Sequence, residues 1–256
     1  MRLKYNNEDE VDPDESQVSE QDGIFMSKTL VCTKRERHDV YSLKVLAAKA
    51  FMKKKEMIAT WIFIDDSLVI LKSGYLASAS SDGNIRIYAI NTGLLIRTLV
   101  TSYSVNSLKV LENGYLISGS SDNKVTIWES NYGTIIRTLL GHTGSVNSLA
   151  VLPNGDLVSS STDKTIRIWD SKYGTLLATL ASHLGPVNKL AVLNDLTLVS
   201  VSDDSSAKLW NINRNEFVLQ TLTDHTDSIT SLTSLNNNNE FASGSKDKTV
   251  KIWAQS

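Results

Sequence analysis

Histidine, serine and aspartate recur in this chain at spacings that could serve a hydrolase. Each of three histidines precedes an aspartate by 21 or 22 residues, and a tryptophan follows that aspartate by six: His142–Asp163–Trp169, His183–Asp204–Trp210 and His225–Asp247–Trp253. A serine stands four residues before each aspartate, at Ser159, Ser200 and Ser243. In a serine hydrolase the hydroxyl attacks, the imidazole takes its proton and the carboxylate orients the ring. One such set in a cleft suffices for catalysis, so three equivalent copies favour a structural role. We therefore predict no catalytic residue, and a hydrolase stays only as an alternative.

The three sets belong to a longer repeat. Five segments end in an aromatic residue at Tyr88, Trp128, Trp169, Trp210 and Trp253, which lie 40, 41, 41 and 43 residues apart. The first two segments carry part of the pattern and lack the histidine: Ser78, Asp82 and Tyr88; Ser118, Asp122 and Trp128. Recurrence at fixed offsets indicates a repeat architecture.

The pieces of one repeat read as short strands separated by turns. In the third repeat, apolar residues 146–152 end at Pro153-Asn154-Gly155, and the alternating segment 166–169 follows the tight turn 162–165. About four such strands per repeat, with no helical periodicity, predict antiparallel sheets joined by hairpins. Radial packing of the sheets covers both faces of each one, which predicts an all-β propeller.

The repeat resembles that of the WD40 family. The resemblance rests on Gly141-His142 before a first strand and on Trp169-Asp170 at the end of a third, with a turn aspartate between them. It covers roughly residues 66–253, although only one repeat ends in a Trp-Asp pair and residues 101–104 read Thr-Ser-Tyr-Ser where a histidine is expected. The resemblance implies four-stranded blades. It also implies that His, Ser, Asp and Trp form a hydrogen-bonded tetrad in each of the three complete repeats.

The N-terminal third is less regular. Residues 1–26 are expected to be an acidic, disordered tail, since residues 8–22 hold eight acids and no base. The propeller is assigned to residues 27–256, with residues 27–33 as the outer strand that closes the ring and residues 46–66 as an irregular segment. The expected count is five clear blades and one degenerate N-terminal blade, as in a shortened relative of longer rings.

Composition excludes several classes of site. The chain has one cysteine, and its four histidines are scattered, so we predict no metal site and no cofactor. The longest apolar run, Met57–Ile64, is far shorter than the roughly 20 residues of a membrane helix. Beyond residue 22 the chain has 24 basic and 20 acidic residues, too mild an excess for a dedicated nucleic-acid binder. We expect an intracellular protein, in the cytoplasm, the nucleus or both.

These features predict a non-enzymatic scaffold that binds a peptide or partner domain. The family implies contacts from the residue before each turn aspartate and from the loop after each histidine. Carried over, these positions are Ser81, Tyr103, Ser121, Thr143, Thr162, Leu184, Asp203, Thr226 and Lys246. Asp203 would suit a basic ligand and Lys246 an acidic one. We expect a monomeric propeller within a larger complex, and the alternative is a substrate-recruiting subunit of a ubiquitin-ligase or signalling assembly.

Overall fold

The computed structural model describes residues 25–31, 67–194, 197–212, 218–235 and 240–255. Throughout these ranges the regular structure is β-strand, as predicted. The predicted degenerate blade, including residues 46–66, lies outside the described residues. Within the described residues, no helix is long and apolar enough to cross a bilayer.

In the part of the chain that the structure describes, twenty strands form five antiparallel sheets of four strands each, here called blades 1–5. The chain begins with β1 (Phe25–Val31), which joins the last blade. Blade 1 contains β2 (Ser67–Ile70), β3 (Tyr75–Ala79), β4 (Asn84–Ala89) and β5 (Leu95–Val100). Blade 2 contains β6 (Val105–Val110), β7 (Leu116–Ser120), β8 (Val125–Glu129) and β9 (Thr134–Leu139). Blade 3 contains β10 (Val146–Val151), β11 (Leu157–Ser161), β12 (Ile166–Trp169) and β13 (Leu176–Leu180). Blade 4 contains β14 (Val187–Asn194), β15 (Thr197–Ser202), β16 (Ala207–Asn211) and β17 (Val218–Leu222). Blade 5 contains β18 (Ile229–Ser234), β19 (Glu240–Ser245) and β20 (Thr249–Gln255).

Blade 5 takes its fourth strand from the start of the described chain. Strand β1 pairs antiparallel with β20, and Leu30 stands opposite Val250 as Leu180 stands opposite Ile166 in blade 3. The strand begins at Phe25, two residues before the predicted closing strand of residues 27–33. The backbone pairing of Phe25 with Gln255 and of Met26 with Ala254 explains the earlier start. Residues 1–24 and 32–33 lie outside the described residues.

The hairpin between the second and third strands of each blade has one backbone geometry. The residue after the turn aspartate has a positive φ, between 65° and 79° in the five blades: Gly83, Asn123, Lys164, Ser205 and Lys248. Aspartate oxygens bind the backbone N–H two residues later, as Asp163 Oδ1 does with Thr165 at 2.9 Å. This Asx-type bond holds the turn without help from the rest of the fold.

The apolar core lies between blades rather than inside them. Between blades 3 and 4, Val158 and Ile168 pack with Leu190 and Trp210, and each of these side chains is at most 9% exposed. The same arrangement recurs where blade 2 meets blade 3 and where blade 4 meets blade 5. Each strand-end tryptophan therefore faces the preceding blade.

An asparagine on the innermost strand also joins each of blades 2–4 to the following blade. Asn147 Nδ2 donates to the carbonyl oxygen of Val187 at 3.0 Å. Asn106 and Asn188 make the equivalent bonds, at 2.9 Å to Val146 and at 2.8 Å to Ile229. Because these amides are partly buried, the bonds fix the alignment of neighbouring blades as well as adding stability.

Replacing Asn147 by alanine is expected to lower the free energy of unfolding by about 1–3 kcal/mol, because the carbonyl of the buried residue Val187 loses its donor. Urea denaturation measures the change. Asn131→Ala is the control, since that exposed amide bonds to Glu129 of its own turn and, among the described residues, makes no bond to another blade. Equal losses in the two variants would contradict a role for Asn147 between blades.

Candidate functional site

Blade 3 contains a continuous hydrogen-bonded chain of four side chains. Nδ1 of His142 lies 2.7 Å from Asp163 Oδ2, and Nε2 of the same ring lies 2.8 Å from Ser159 Oγ. The indole Nε1–H of Trp169 donates to that hydroxyl at 2.9 Å. The histidine comes from the linker before β10, the serine from β11, the aspartate from the hairpin turn and the tryptophan from β12.

Blades 4 and 5 repeat the arrangement. His183 contacts Asp204 and Ser200 at 2.8 and 2.7 Å, and Trp210 donates to Ser200 at 2.8 Å. In blade 5 the equivalent residues are His225, Asp247, Ser243 and Trp253, and their hydrogen-bond distances lie between 2.6 and 2.8 Å. The structure thus brings together the members of all three sets named in the sequence analysis.

The hydrogen bonds of blade 3 are consistent with a neutral imidazole. Burial lowers the pKa of His142 by more than the contact with Asp163 raises it. A neutral ring donates from Nδ1 to the carboxylate and accepts the Ser159 proton at Nε2, and the serine oxygen accepts the indole N–H. Burial alone would raise the pKa of Asp163, but hydrogen bonds from Thr165, His142 and Thr143 lower it to about 2. The carboxylate is therefore charged and the ring uncharged at neutral pH.

Two further hydroxyls complete each set, and the sequence analysis missed them. Thr165 Oγ1 donates to Asp163 Oδ1 at 2.6 Å, and Ser161 Oγ accepts the N–H of Asp163 at 3.0 Å. The equivalent residues are Ser206 and Ser202 in blade 4 and Thr249 and Ser245 in blade 5. The signal was present, because a serine stands two residues before all five turn aspartates: Ser80, Ser120, Ser161, Ser202 and Ser245.

The connectivity Asp–His–Ser matches that of a catalytic triad, but the hydroxyl cannot act as a nucleophile here. Ser159 and Ser200 are fully buried and Ser243 is 1% exposed, so substrate has no access to these oxygens. Each oxygen also accepts an indole N–H, which engages a lone pair. A triad needs an exposed nucleophile beside an oxyanion hole. The sets instead tie linker, hairpin and strand together within a blade.

Blades 1 and 2 hold the turn aspartate in a different way. In blade 2 the Lys124 ammonium lies 3.0 Å from Asp122 Oδ2, on the carboxylate oxygen that the imidazole contacts in blades 3–5. In blade 1 the guanidinium of Arg86 binds both oxygens of Asp82 and lowers the pKa of that carboxyl. A cation from the hairpin therefore replaces the missing histidine.

The serine and aromatic partners also differ between these two blades. Trp128 Nε1 donates to Ser118 at 2.8 Å, as in the complete sets. Tyr88 has no equivalent indole N–H, and the buried Ser78 hydroxyl has no hydrogen-bond partner among the described residues. Blade 2 thus keeps three of the four tetrad residues and the bond between serine and tryptophan, whereas blade 1 keeps only the serine and the aspartate.

The residues predicted to bind a partner lie at one end of the blades. This end, called the top face, carries the hairpin turns and the linkers between blades. Each of the nine positions has an exposed residue: Ser81, Tyr103, Ser121, Thr143, Thr162, Leu184, Asp203, Thr226 and Lys246. Within the described residues, no group of three or more His, Cys, Asp or Glu could hold a metal ion.

Asp203 is held by neighbouring side chains and lies within electrostatic range of Lys246. Burial would raise the pKa of Asp203, but hydrogen bonds from Ser228 and Asn188 and the charge of Lys246 lower it. Its Oδ1 accepts the hydroxyl of Ser228 and the amide of Asn188, so this carboxylate also joins blade 4 to blade 5.

Comparison with known families gives one match. A family model described as "WD domain, G-beta repeat" matches residues 93–129, 133–170, 174–211 and 217–254, more than half of the chain. Each matched segment contains the outer strand of one blade and the first three strands of the next. No curated protein matches the chain.

Replacing His183 by alanine is expected to lower the free energy of unfolding by about 1–3 kcal/mol, since Ser200 and Asp204 each lose a buried partner. Chemical denaturation measures the loss. Leu184→Ala is the control, because that neighbouring side chain is 83% exposed. An unchanged unfolding midpoint for His183→Ala would contradict the structural role.

Acid is expected to destabilise the protein in two steps. The unfolded chain protonates His142 near pH 6.5, whereas the folded pKa is lower, so stability is full above about 6.5 and decreases as the pH falls. The depressed pKa of Asp163 adds a further loss between about pH 4 and the folded value of about 2. Urea denaturation at about pH 7.5 and about pH 5 tests the first step. His142→Gln should lose less stability than wild type over this interval, and identical losses would contradict the assignment.

Proposed function

The chain belongs to the WD40-repeat family, and we propose that it is a non-enzymatic scaffold that binds a peptide or a partner domain on its top face. WD40 repeats generally mediate protein–protein interaction, so the family supports the class of function.

The observation that carries the proposal is the rigid attachment of the top face to the buried core. In blade 3 the backbone N–H of Thr143 and the hydroxyl of Thr165 both bind the carboxylate that holds His142. The N–H of Thr162 donates to the carbonyl of Ser145 at 2.9 Å, which joins hairpin to linker. Exposed side chains on such a frame lose little conformational entropy on binding, which favours recognition of a partner.

The burial and the hydrogen bonding of the serine hydroxyls support a non-enzymatic role. The serine oxygens of the three complete sets are buried and accept indole N–H groups. The exposed hydroxyls of the top face, such as Ser81, Ser121 and Thr162, lie outside these sets. The described residues of the top face therefore offer contact groups and no assembled nucleophile.

Changing charge on the top face should remove partners that bind there. The test variant combines Ser121→Arg, Thr162→Arg and Lys246→Glu, three exposed positions whose side chains hold none of the hairpin hydrogen bonds described above. The control variant, Lys72→Glu with Asn131→Arg and Thr175→Arg, makes the same exchange of charge in turns at the opposite end of the blades. Partners are compared by quantitative affinity purification, and circular dichroism verifies that both proteins are folded.

We expect a discrete set of proteins to bind wild type and the control variant and to be lost from the top-face variant. Retention of every partner by the top-face variant, together with loss from the control, would place binding at the opposite end. Turnover of a substrate by the purified chain would contradict the non-enzymatic role.

A further inference from the structure

The linker between blades 1 and 2 departs from the other linkers in length. Val105, the first residue of β6, follows Leu99 by six residues, whereas the corresponding distance is seven in the next three linkers: Leu139–Val146, Leu180–Val187 and Leu222–Ile229. The shorter linker is also the one without a histidine. The missing residue and the missing imidazole change the path of the chain at the top face.

This linker lies over the hairpin of blade 1. The backbone N–H of Thr101 donates to the carbonyl of Gly83 at 2.8 Å, and the Thr101 hydroxyl lies 2.9 Å from the same oxygen. That hydroxyl also lies 2.7 Å from the carbonyl of Tyr103, and Ser102 has a φ of 66°. Residues 101–104 thus form a compact turn that lies against blade 1.

Gly83 makes this path possible. A β-carbon at Gly83 would stand 2.9 Å from the backbone nitrogen of Tyr103, closer than such contacts allow. The other blades carry side chains at the same hairpin position: Asn123, Lys164, Ser205 and Lys248. The glycine and the short linker are therefore matched features of blades 1 and 2.

The altered path places a large aromatic side chain on the top face. Tyr103 occupies the linker position that Gly144 occupies before blade 3 and Gly185 before blade 4, two residues before the first strand. A β-carbon at Gly144 would stand 2.7 Å from the nitrogen of Asp163, and one at Gly185 would stand 2.9 Å from that of Asp204, so blades 3 and 4 exclude any side chain there. Tyr103 is 53% exposed, and within the described part of the top face it is the only exposed aromatic residue.

The surroundings of Tyr103 are apolar or formally neutral. Val100, on the strand that leads into the linker, is 70% exposed. Asp82 is paired with Arg86 and Asp122 with Lys124, so the hairpins of blades 1 and 2 present paired charges. By contrast, blades 3 and 5 expose Lys164 and Lys248 beside their turn aspartates.

We infer that the top face binds its partner mainly at blades 1 and 2, where Tyr103 packs against uncharged, apolar side chains of the partner and Val100 adds exposed apolar surface. Tyrosine is enriched at energetically dominant interface positions, since it buries a large area at small entropic cost. The linker hydrogen bonds hold the backbone before the partner arrives, which lowers the cost of binding further. The inference rests on the proposed scaffold function and names the chemistry of the ligand.

A phage-displayed library of random peptides, selected on the full chain, tests the inference. We expect apolar, uncharged peptides whose affinity decreases about 30-fold or more in Tyr103→Ala, as for a dominant interface residue. Tyr173→Ala is the matched control, because Tyr173 is 60% exposed in a turn at the opposite end of blade 3. Binding should persist at high salt, since screening weakens charged contacts and leaves apolar ones in place.

A second variant tests the position of Tyr103 without altering it. Gly83→Asn introduces the residue type that blade 2 has at the equivalent position, Asn123, where φ is also positive. The added β-carbon would displace the linker. Peptide affinity should decrease in this variant while circular dichroism and the thermal midpoint show a folded protein. Undiminished affinity in Gly83→Asn and Tyr103→Ala would overturn the inference.

The possible failures of the inference and of the scaffold function are distinguishable. Peptides whose affinity is unchanged by Tyr103→Ala but is abolished by Thr162→Arg or Lys246→Glu would overturn the assignment to blades 1 and 2. They would still support binding at the top face. A selection that yields no peptide dependent on any top-face residue would overturn both.

Discussion

A buried imidazole that must satisfy both of its ring nitrogens is the constraint that couples linker, hairpin and strand in blades 3–5. In blades 3–5 one nitrogen meets the turn aspartate and the other meets a strand serine, and the tryptophan binds the same serine from the far side. Removing any member leaves a buried polar atom without its partner. The linker, the hairpin and two strands are therefore coupled by side chains that make almost no contact with solvent.

In blades 1 and 2, whose repeats have no histidine, cationic side chains contact the turn aspartate instead. Arg86 and Lys124 neutralise the turn aspartates from within the hairpin, so the linker is no longer required to deliver a histidine. The linker before blade 2 is shorter, crosses to Gly83 and exposes Tyr103. The shorter linker and the exposed Tyr103 thus both accompany the absence of a histidine from this linker.

Cohesion between blades comes from a second, separate set of contacts. Tryptophans and aliphatic side chains fill the space between neighbouring sheets, and Asn106, Asn147 and Asn188 link the innermost strands. Contacts of this kind join nearest neighbours, so stability accumulates blade by blade. The first set holds the hairpins and linkers of the top face, and the second set aligns the blades that carry them.

The strands, the turns and the residues of the three hydrogen-bonded sets could be predicted from the sequence, because local patterns repeated at a fixed spacing encode each of them. Antiparallel sheets of four strands followed from alternation and turn residues, and the family match confirms the repeat. The local patterns could not give the pairing of Asp203 with Ser228 and Asn188, the asparagine bonds between blades or the path of residues 100–104. These depend on where the backbone of one blade lies against that of the next, which the tertiary structure alone decides. Tyr103 therefore reads as one loop residue among several in the sequence and becomes distinctive only through the space left beside Gly83.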